Sequence, residues 1–189
     1  MTSWDALSHS EEETIQKGRE LAAQLRPLVY PEPSPGVGGR EVEPSTAAGR
    51  RGALVLLSGE LGAGKTTFTK GIISGLGVAR EEDVTSPTFT LVHTFALTKD
   101  DSSSSPYTLH PTPYTLRVYH VDLYRVADLH DLETLGLEDV FSEPAIVIVE
   151  WPERLTLGTE WPRIEVRLQH VDEHTRRIEV LDPAGVLAA

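Results

Sequence analysis

The hydrophobic and polar positions of this chain change their period several times, and each change marks a helix or a strand. Residues 10–26 place their large apolar side chains roughly on one face of a helix. Ser10 begins this segment and Glu13 follows three residues later, which together are a helix-start signature. The apolar residues of the face are Ile15, Leu21, Ala22 and Leu25.

Residues 146–150 show a different pattern, with four consecutive β-branched residues and no alternation. Such a run is typical of a strand that is buried on both faces. Residues 163–170 and 176–181 alternate with a period of two and predict a C-terminal β-hairpin. This order favours an α/β fold with a mixed sheet flanked by helices. The other predicted elements are strands at residues 53–57, 88–97 and 117–124, a helix at residues 66–76, and one or two short helices over residues 128–141, broken near Gly136.

Two segments interrupt this pattern without adding an apolar face. Residues 31–51 are rich in proline and glycine, and residues 98–113 are mostly polar. We interpret both as loop insertions in a single domain that spans residues 1–189, because a chain of this length buries enough surface for one core.

The composition limits the classes of protein to which the chain can belong. Its 189 residues carry a formal net charge of −12 and include no cysteine. No apolar run approaches the ~18 residues that cross a bilayer, so we expect an unexported, cytoplasmic protein without a membrane partner. The negative charge disfavours direct binding of nucleic acid, which usually needs a basic surface. If the protein serves an RNA pathway, we expect a partner to hold the RNA.

A glycine-rich segment joins the predicted strand at residues 53–57 to the next helix. Residues 59–66, Gly-Glu-Leu-Gly-Ala-Gly-Lys-Thr, match the pattern G-x-x-x-x-G-K-[ST] at every defined position. Glycines let backbone N–H groups approach phosphate oxygens, and the helix N-terminus adds partial positive charge. In this pattern Lys65 reaches the β- and γ-phosphates and the Thr66 hydroxyl binds Mg²⁺. The sequence therefore predicts a P-loop nucleotide site.

Two carboxylates are candidates for the rest of this site. Glu150 ends the buried strand at residues 146–150, where P-loop folds place a carboxylate that meets the Mg²⁺. The alternative for Glu150 is a surface glutamate that follows a strand. Asp122 lies in the predicted strand at residues 117–124 and could bind the metal through water, or orient the water that attacks the γ-phosphate.

Several polar residues near these carboxylates have two interpretations each. Strand alternation puts His120 and Tyr124 on the face of Asp122, where His120 either packs and orients neighbours or takes part in acid–base chemistry. Arg125 either pairs with Asp122 or contacts phosphate. The segment Ser86-Pro87-Thr88 is either a plain turn or a loop whose hydroxyl senses the γ-phosphate and Mg²⁺.

Four short motifs follow one another along the chain. They are G-E-L-G-A-G-K-T-T at 59–67, S-P-T-F-T at 86–90, H-V-D-L-Y-R at 120–125 and V-E-W at 149–151. Together they closely resemble the bacterial P-loop ATPases of tRNA threonylcarbamoyladenosine biosynthesis, the TsaE family. The resemblance runs from the first helix to Trp151 and more loosely through the C-terminal hairpin.

The resemblance implies a P-loop NTPase fold and a small cytoplasmic ATPase with ATP and Mg²⁺ as cofactors. It implies slow hydrolysis by the chain alone, and two partner proteins, TsaB and TsaD, that transfer a threonylcarbamoyl group to adenosine 37 of tRNA. It also implies that Asp122, Lys65 and Glu150 are catalytic, that Thr66 and Glu150 bind Mg²⁺, and that tRNA is contacted only through the partners. The residues implied to bind the nucleotide are Glu60, Leu61, Gly62, Ala63, Gly64, Lys65, Thr66, Thr67, Thr88 and Trp151.

Three other functions can be compared with the sequence: a GTPase, a small-molecule kinase and a nucleotide-gated binding module. Guanine-specific GTPases read the base with an Asn-Lys-x-Asp motif, and this sequence contains no asparagine. A small-molecule kinase usually has an arginine-bearing lid, whereas residues 98–113 contain only Lys99 as a lysine or arginine. A nucleotide-gated binding module would use bound ATP to organise a partner surface, and hydrolysis would matter little. The kinase is the main alternative to the ATPase.

Overall fold

The strands and helices of the chain follow the predicted α/β order. The computed structural model describes residues 2–29, 52–99, 114–126, 140, 144–154 and 161–187. The predicted helical segment at 128–141 lies outside these residues apart from Val140, as does the predicted insertion at 31–51. The elements are β1 Thr2–Ser8, α1 Glu11–Val29, β2 Ala53–Ser58, α2 Lys65–Leu76, β3 Val92–Lys99, β4 Tyr114–Asp122, β5 Ile146–Glu150, β6 Arg163–His170 and β7 Arg176–Leu181.

Seven strands form one mixed sheet in the order β1-β7-β6-β2-β5-β4-β3. The four inner strands β6, β2, β5 and β4 are mutually parallel. Antiparallel pairs lie at both sides, β3 with β4 and β7 with both β1 and β6. The predicted mixed sheet and the C-terminal hairpin are confirmed. Every residue of β5 is buried, as its unbroken apolar run predicts.

Strand β1 was not predicted from the sequence. It pairs with β7 from the other end of the chain, in a register that joins Ala6 to Ile178 and Ser8 to Arg176. This edge strand is stabilised mainly by its distant partner, so its own sequence carries a weak signal. The pairing places the last residue of β1, and therefore the start of α1, close to the last residue of β6.

Several predicted boundaries are wrong by a few residues. The strand predicted at 88–97 begins only at Val92, because Leu91 adopts a left-handed φ of 64° and its N–H bonds to Pro87 O. The strand predicted at 117–124 runs instead from Tyr114 to Asp122. Residues 98–99, assigned to the second insertion, belong to β3, and residues 100–113 lie outside the described part of the chain.

Helix α1 begins as predicted but ends later. Ser10 Oγ accepts the Glu13 N–H at 3.1 Å, which confirms the N-cap. The helix continues through Pro27 to Val29, three residues beyond the predicted end. Val29 is buried in the core and Leu28 packs against it, so tertiary packing holds a last turn that proline would weaken in isolation. Neither helix in the described part of the chain is long and apolar enough to span a membrane.

Helices α1 and α2 pack on the same face of the sheet and touch through glycines. A Cβ built on Gly71 would lie closer than 3.0 Å to Ile15 O and to the Cα of Gly18. A Cβ on Gly18 would meet Phe68 O in the same way. The two backbones can therefore approach only where side chains are absent. This contact fixes the position of α2, whose first residue is Lys65.

We expect Gly71→Ala to destabilise the protein, although alanine is the better helix former by ~1 kcal/mol. The added methyl group must separate the two helices, and overpacking of this kind costs about 1–3 kcal/mol or more. Urea unfolding should show a net loss of roughly 1 kcal/mol or more in the free energy of unfolding.

The matched control for this substitution is Ser74→Ala in the same helix. Ser74 is half-buried, and among the described residues its hydroxyl bonds only within the helix, to Gly71 O. Its replacement should change the free energy of unfolding by no more than ~0.5 kcal/mol. Equal stabilities of the two variants would contradict the close helix contact.

Candidate functional site

The loop at residues 59–64 joins β2 to α2 through glycines in the left-handed region. The φ angles of Gly59, Gly62 and Gly64 are 146°, 79° and 98°. A Cβ on Gly59 would also collide with Leu168 O, so both conformation and space require glycine there. Gly64 caps α2 without a side-chain hydrogen bond, which leaves the first N–H groups of the helix available to a ligand.

The outer side of this loop is open enough for close approach. Among the described residues, a Cβ on Gly62 would have only His170 Nε2 within 4 Å, at 3.9 Å. A Cβ on Gly64 would likewise touch, in this part of the chain, only methyl groups of Leu168 and Thr14, each at 3.8 Å. A phosphate oxygen can therefore reach the backbone N–H groups at the start of α2. The loop geometry fits an anion cradle.

Lys65 lies at the centre of this cradle and is only 5% exposed. Its Nζ donates to Gly59 O at 2.8 Å and to Glu60 O at 2.9 Å, and lies 3.8 Å from the ring centroid of Trp151. Burial lowers the pKa of the Lys65 ammonium, and the nearby carboxylates of Glu150, Glu153 and Asp122 only partly oppose this effect. A buried cation of this kind favours a ligand with added negative charge.

Thr66 and Glu150 meet across the boundary between α2 and β5. The Thr66 hydroxyl donates to Glu150 Oε1 at 2.9 Å and lies 3.1 Å from Oε2. Glu150 is 3% exposed and lies in register with Leu57 on β2 and with Asp122 on β4. Glu150 is therefore not a surface glutamate. A hydroxyl and a carboxylate side by side fit Mg²⁺, which takes oxygen ligands and keeps water and substrate phosphates in its other positions.

The Glu150 carboxylate has a second, buried neighbour. His120 Nε2 lies 2.8 Å from Glu150 Oε1, and the His120 side chain is fully buried. Of the two interpretations of His120, this contact favours the one in which it orients a neighbour. The strand alternation signalled which face His120 occupies, but the sequence did not indicate its partner.

Asp122 holds the Ser86-Pro87-Thr88 segment against the site. Its Oδ2 accepts hydrogen bonds from Ser86 Oγ and Thr88 Oγ1, both at 2.7 Å, and its Oδ1 accepts the Tyr124 N–H at 3.0 Å. Asp122 itself is 3% exposed. The segment is therefore tied to a candidate catalytic carboxylate, which favours the sensing loop over a plain turn.

Trp151 and Arg125 border the site in ways that the motifs did not specify. Trp151 follows Glu150 with a left-handed φ of 61°, and its N–H bonds to Leu57 O at 3.2 Å. This conformation turns the half-buried indole toward Lys65 and Tyr124, whose ring centroid is 5.1 Å away. Strained backbone of this kind is found at functional sites. The Arg125 guanidinium lies over the Phe89 ring at 4.4 Å, a contact that neither sequence interpretation included.

Not every residue of the predicted set points into this cluster. The Leu61 side chain is 72% exposed, and Glu60 contributes its carbonyl oxygen to Lys65 while its side chain is exposed. Ser86 and His170 are neighbours of the site that the predicted set left out. Ser86 had a signal in the Ser-Pro-Thr segment. His170 comes from the end of β6, and only the sheet order places that strand beside the loop.

Comparisons with known proteins agree on one family. A Haemophilus influenzae relative named tRNA threonylcarbamoyladenosine biosynthesis protein TsaE is 36% identical over 128 residues, or 68% of this chain and 69% of that protein. A Treponema pallidum protein of the same name is 33% identical over 71% of this chain and 88% of its own length. The crystal structure of Bacillus subtilis YdiB has a TM-score of 0.52 at 24% identity, over 96% of this chain and 87% of that chain, which shows a shared fold. The family model described as threonylcarbamoyl adenosine biosynthesis protein TsaE matches residues 8–178, and the chain therefore belongs to the TsaE family.

Proposed function

We propose that this protein is a Mg²⁺-dependent ATP hydrolase required for threonylcarbamoylation of adenosine 37 in tRNA. The observation that carries the proposal is the contact between Thr66 at the start of α2 and Glu150 at the end of β5. It joins a phosphate-binding loop to a buried carboxylate, the pairing that P-loop enzymes use for Mg-nucleotide. Relatives named for threonylcarbamoyladenosine biosynthesis support the pathway.

The loop would bind the triphosphate through backbone N–H groups and Lys65. The ammonium now bonds to two loop carbonyls, Gly59 O and Glu60 O, and could turn to the β- and γ-phosphates with little movement of the backbone. The phosphates would supply the negative charge that the buried cation lacks. Thr67, Thr88 and Trp151 complete the proposed nucleotide site around this centre.

Thr66 and Glu150 would hold Mg²⁺, which neutralises charge on the β- and γ-phosphates when it is bound. The Thr66 oxygen has two lone pairs besides its O–H, so it would bind the metal while the O–H still donates to Glu150. The Glu150 carboxylate would not have to move into the site, because it is already buried next to the loop.

Asp122 would position the water that attacks the γ-phosphate. The same carboxylate accepts hydrogen bonds from Ser86 and Thr88, so a change at the γ-phosphate could be passed to the loop at residues 86–90. Phe89 in this loop is 84% exposed. The loop could therefore report the nucleotide state to a partner.

The proposed partners are TsaB and TsaD, which would carry out the transfer to tRNA. A net charge of −12 supports indirect contact with tRNA, because the phosphate backbone binds basic surfaces. The lack of asparagine supports ATP over GTP, since the guanine-reading motif begins with that residue.

We expect Lys65→Ala and Asp122→Ala to separate nucleotide binding from hydrolysis. Lys65→Ala should weaken ATP binding at least tenfold, because it removes the cation at the phosphates. Asp122→Ala should change ATP affinity by less than about threefold and lower phosphate release at least 100-fold, in line with the 10²–10⁴-fold contribution of a positioned acid or base. Binding of a fluorescent ATP analogue and release of inorganic phosphate measure the two quantities, with TsaB and TsaD present for the second.

The same two variants test the pathway in the host. Both should lower threonylcarbamoyladenosine in bulk tRNA, measured by mass spectrometry of nucleosides, while Lys70→Ala and Glu82→Ala serve as controls of matched charge outside the site. Normal modification in Asp122→Ala cells that lack hydrolysis would favour a nucleotide-gated binding module. Transfer of the γ-phosphate to a metabolite instead of water would favour a kinase.

Nucleotide binding at alkaline pH should be accompanied by proton uptake at Lys65. Burial lowers the pKa of the ammonium in the folded protein, and bound phosphates should raise it again. The group therefore gains a proton on binding wherever the pH lies between these two pKa values, and ATP affinity falls as pH rises through that range. Calorimetry in buffers of different ionisation enthalpy measures the uptake, and Lys65→Met should abolish it. Identical binding enthalpies in all buffers, at a pH where affinity is already falling, would contradict this role.

A further inference from the structure

We propose that His120 is a positioning residue that holds Glu150 ready for the metal ion. This inference rests on the proposed function and adds to it a residue that would act on Mg²⁺ only through another side chain. It starts from the contact of His120 Nε2 with Glu150 Oε1 at 2.8 Å, within a pair that is buried almost completely.

The strand register explains how the two side chains meet. On β4, Asp122 lies opposite Glu150 and His120 lies opposite Ile148, two residues earlier on β5. His120, Asp122 and Glu150 therefore share the face of the sheet against which α2 packs. From that position the imidazole reaches diagonally to the Glu150 carboxylate.

The chemistry of the pair defines which atom donates. An ionised carboxylate can only accept hydrogen bonds, so the proton of the contact lies on His120 Nε2. His120 Nδ1 is buried and has no hydrogen-bond partner in the described part of the structure. A buried polar atom without a partner is unfavourable, and an apolar side chain would fill the same space without it. The bond to Glu150 is thus the one polar contact seen for this imidazole among the described residues.

The two carboxylate oxygens of Glu150 therefore differ in the hydrogen bonds that they accept. Oε1 accepts from both His120 and Thr66, whereas within the described part of the chain Oε2 has only the longer 3.1 Å contact with Thr66. With Oε1 held by His120, Oε2 is the less engaged oxygen and would be the one available to Mg²⁺. Hydrogen bonds to a ligating side chain fix its orientation, and their loss typically lowers metal affinity about 10- to 100-fold.

The test compares His120→Leu with His120→Gln. Leucine fills the space without a donor, while the glutamine amide can donate from nearly the same place as Nε2. A fluorescent ATP analogue is bound to each variant, and Mg²⁺ is titrated from zero in the presence of excess protein. His120→Leu should raise the Mg²⁺ concentration at half-saturation about 10- to 100-fold and change binding in EDTA less than twofold. His120→Gln should recover most of the Mg²⁺ affinity.

Val121→Ala controls for a general loss of stability, because Val121 is the next residue of β4, is fully buried and packs in the core cluster on the other face. It should lower the melting temperature without moving the Mg²⁺ titration. If the Mg²⁺ titration of His120→Leu matches that of the wild type, the positioning role is overturned. It is also overturned if His120→Gln does not recover the Mg²⁺ affinity that His120→Leu loses. In both cases the proposed function stands. A wild-type protein whose nucleotide binding shows no response to Mg²⁺ overturns both.

A second readout does not require metal or nucleotide. The ¹⁵N spectrum of the His120 ring should show a proton on Nε2. An Nε2 that carries no proton would remove the donor on which the inference depends and would overturn it.

Discussion

The parallel pairing of β2 with β5 is the interaction on which the rest of the site depends. Its register places Leu57, two residues before the glycine loop, beside Glu150. Because both strands run in the same direction, the loop that follows β2 and the carboxylate that ends β5 emerge at the same edge of the sheet. No local property of either segment determines this meeting. The backbone hydrogen bonds between β2 and β5 determine it, and they bring the Thr66 and Glu150 side chains close enough to bond.

The site concentrates polar groups that are costly to bury. Lys65, His120, Asp122 and Glu150 are each 5% exposed or less. Lys65 donates to two loop carbonyls, Asp122 accepts from two hydroxyls and a backbone N–H, and Glu150 contacts a hydroxyl and an imidazole, whereas His120 Nδ1 has no partner among the described residues. These hydrogen bonds restrict the side-chain orientations, because a buried group that turns away needs another polar partner. The same hydrogen bonds offset much of the cost of burying the four side chains.

The glycines of the chain serve two different physical needs. Those in the loop at residues 59–64 allow the left-handed backbone that joins β2 to α2. Gly18 and Gly71 instead have room for hydrogen only, and let α1 and α2 touch at the backbone. The glycine contact between α1 and α2 supports the loop, because it fixes the position of α2, which begins directly after residue 64.

The sequence by itself determined the elements whose signals are local. The pattern at residues 59–66, the buried run at 146–150 and the alternation of the C-terminal hairpin each specify their structure through neighbouring residues, and the structure agrees with all three. The boundaries near Leu91 and Pro27 were missed because an unusual φ and a packed last turn override the local pattern.

Only the tertiary structure decided which polar residues act together. Ser86 and Thr88 lie more than thirty residues from Asp122 in the chain, and His120 lies thirty residues from Glu150. The edge strand β1 likewise depends on β7 from the opposite end of the chain. Contacts between distant residues arise from strand order and register, which depend on the burial of the whole sheet. A motif can name the chemistry of a residue, but the fold alone selects its partner.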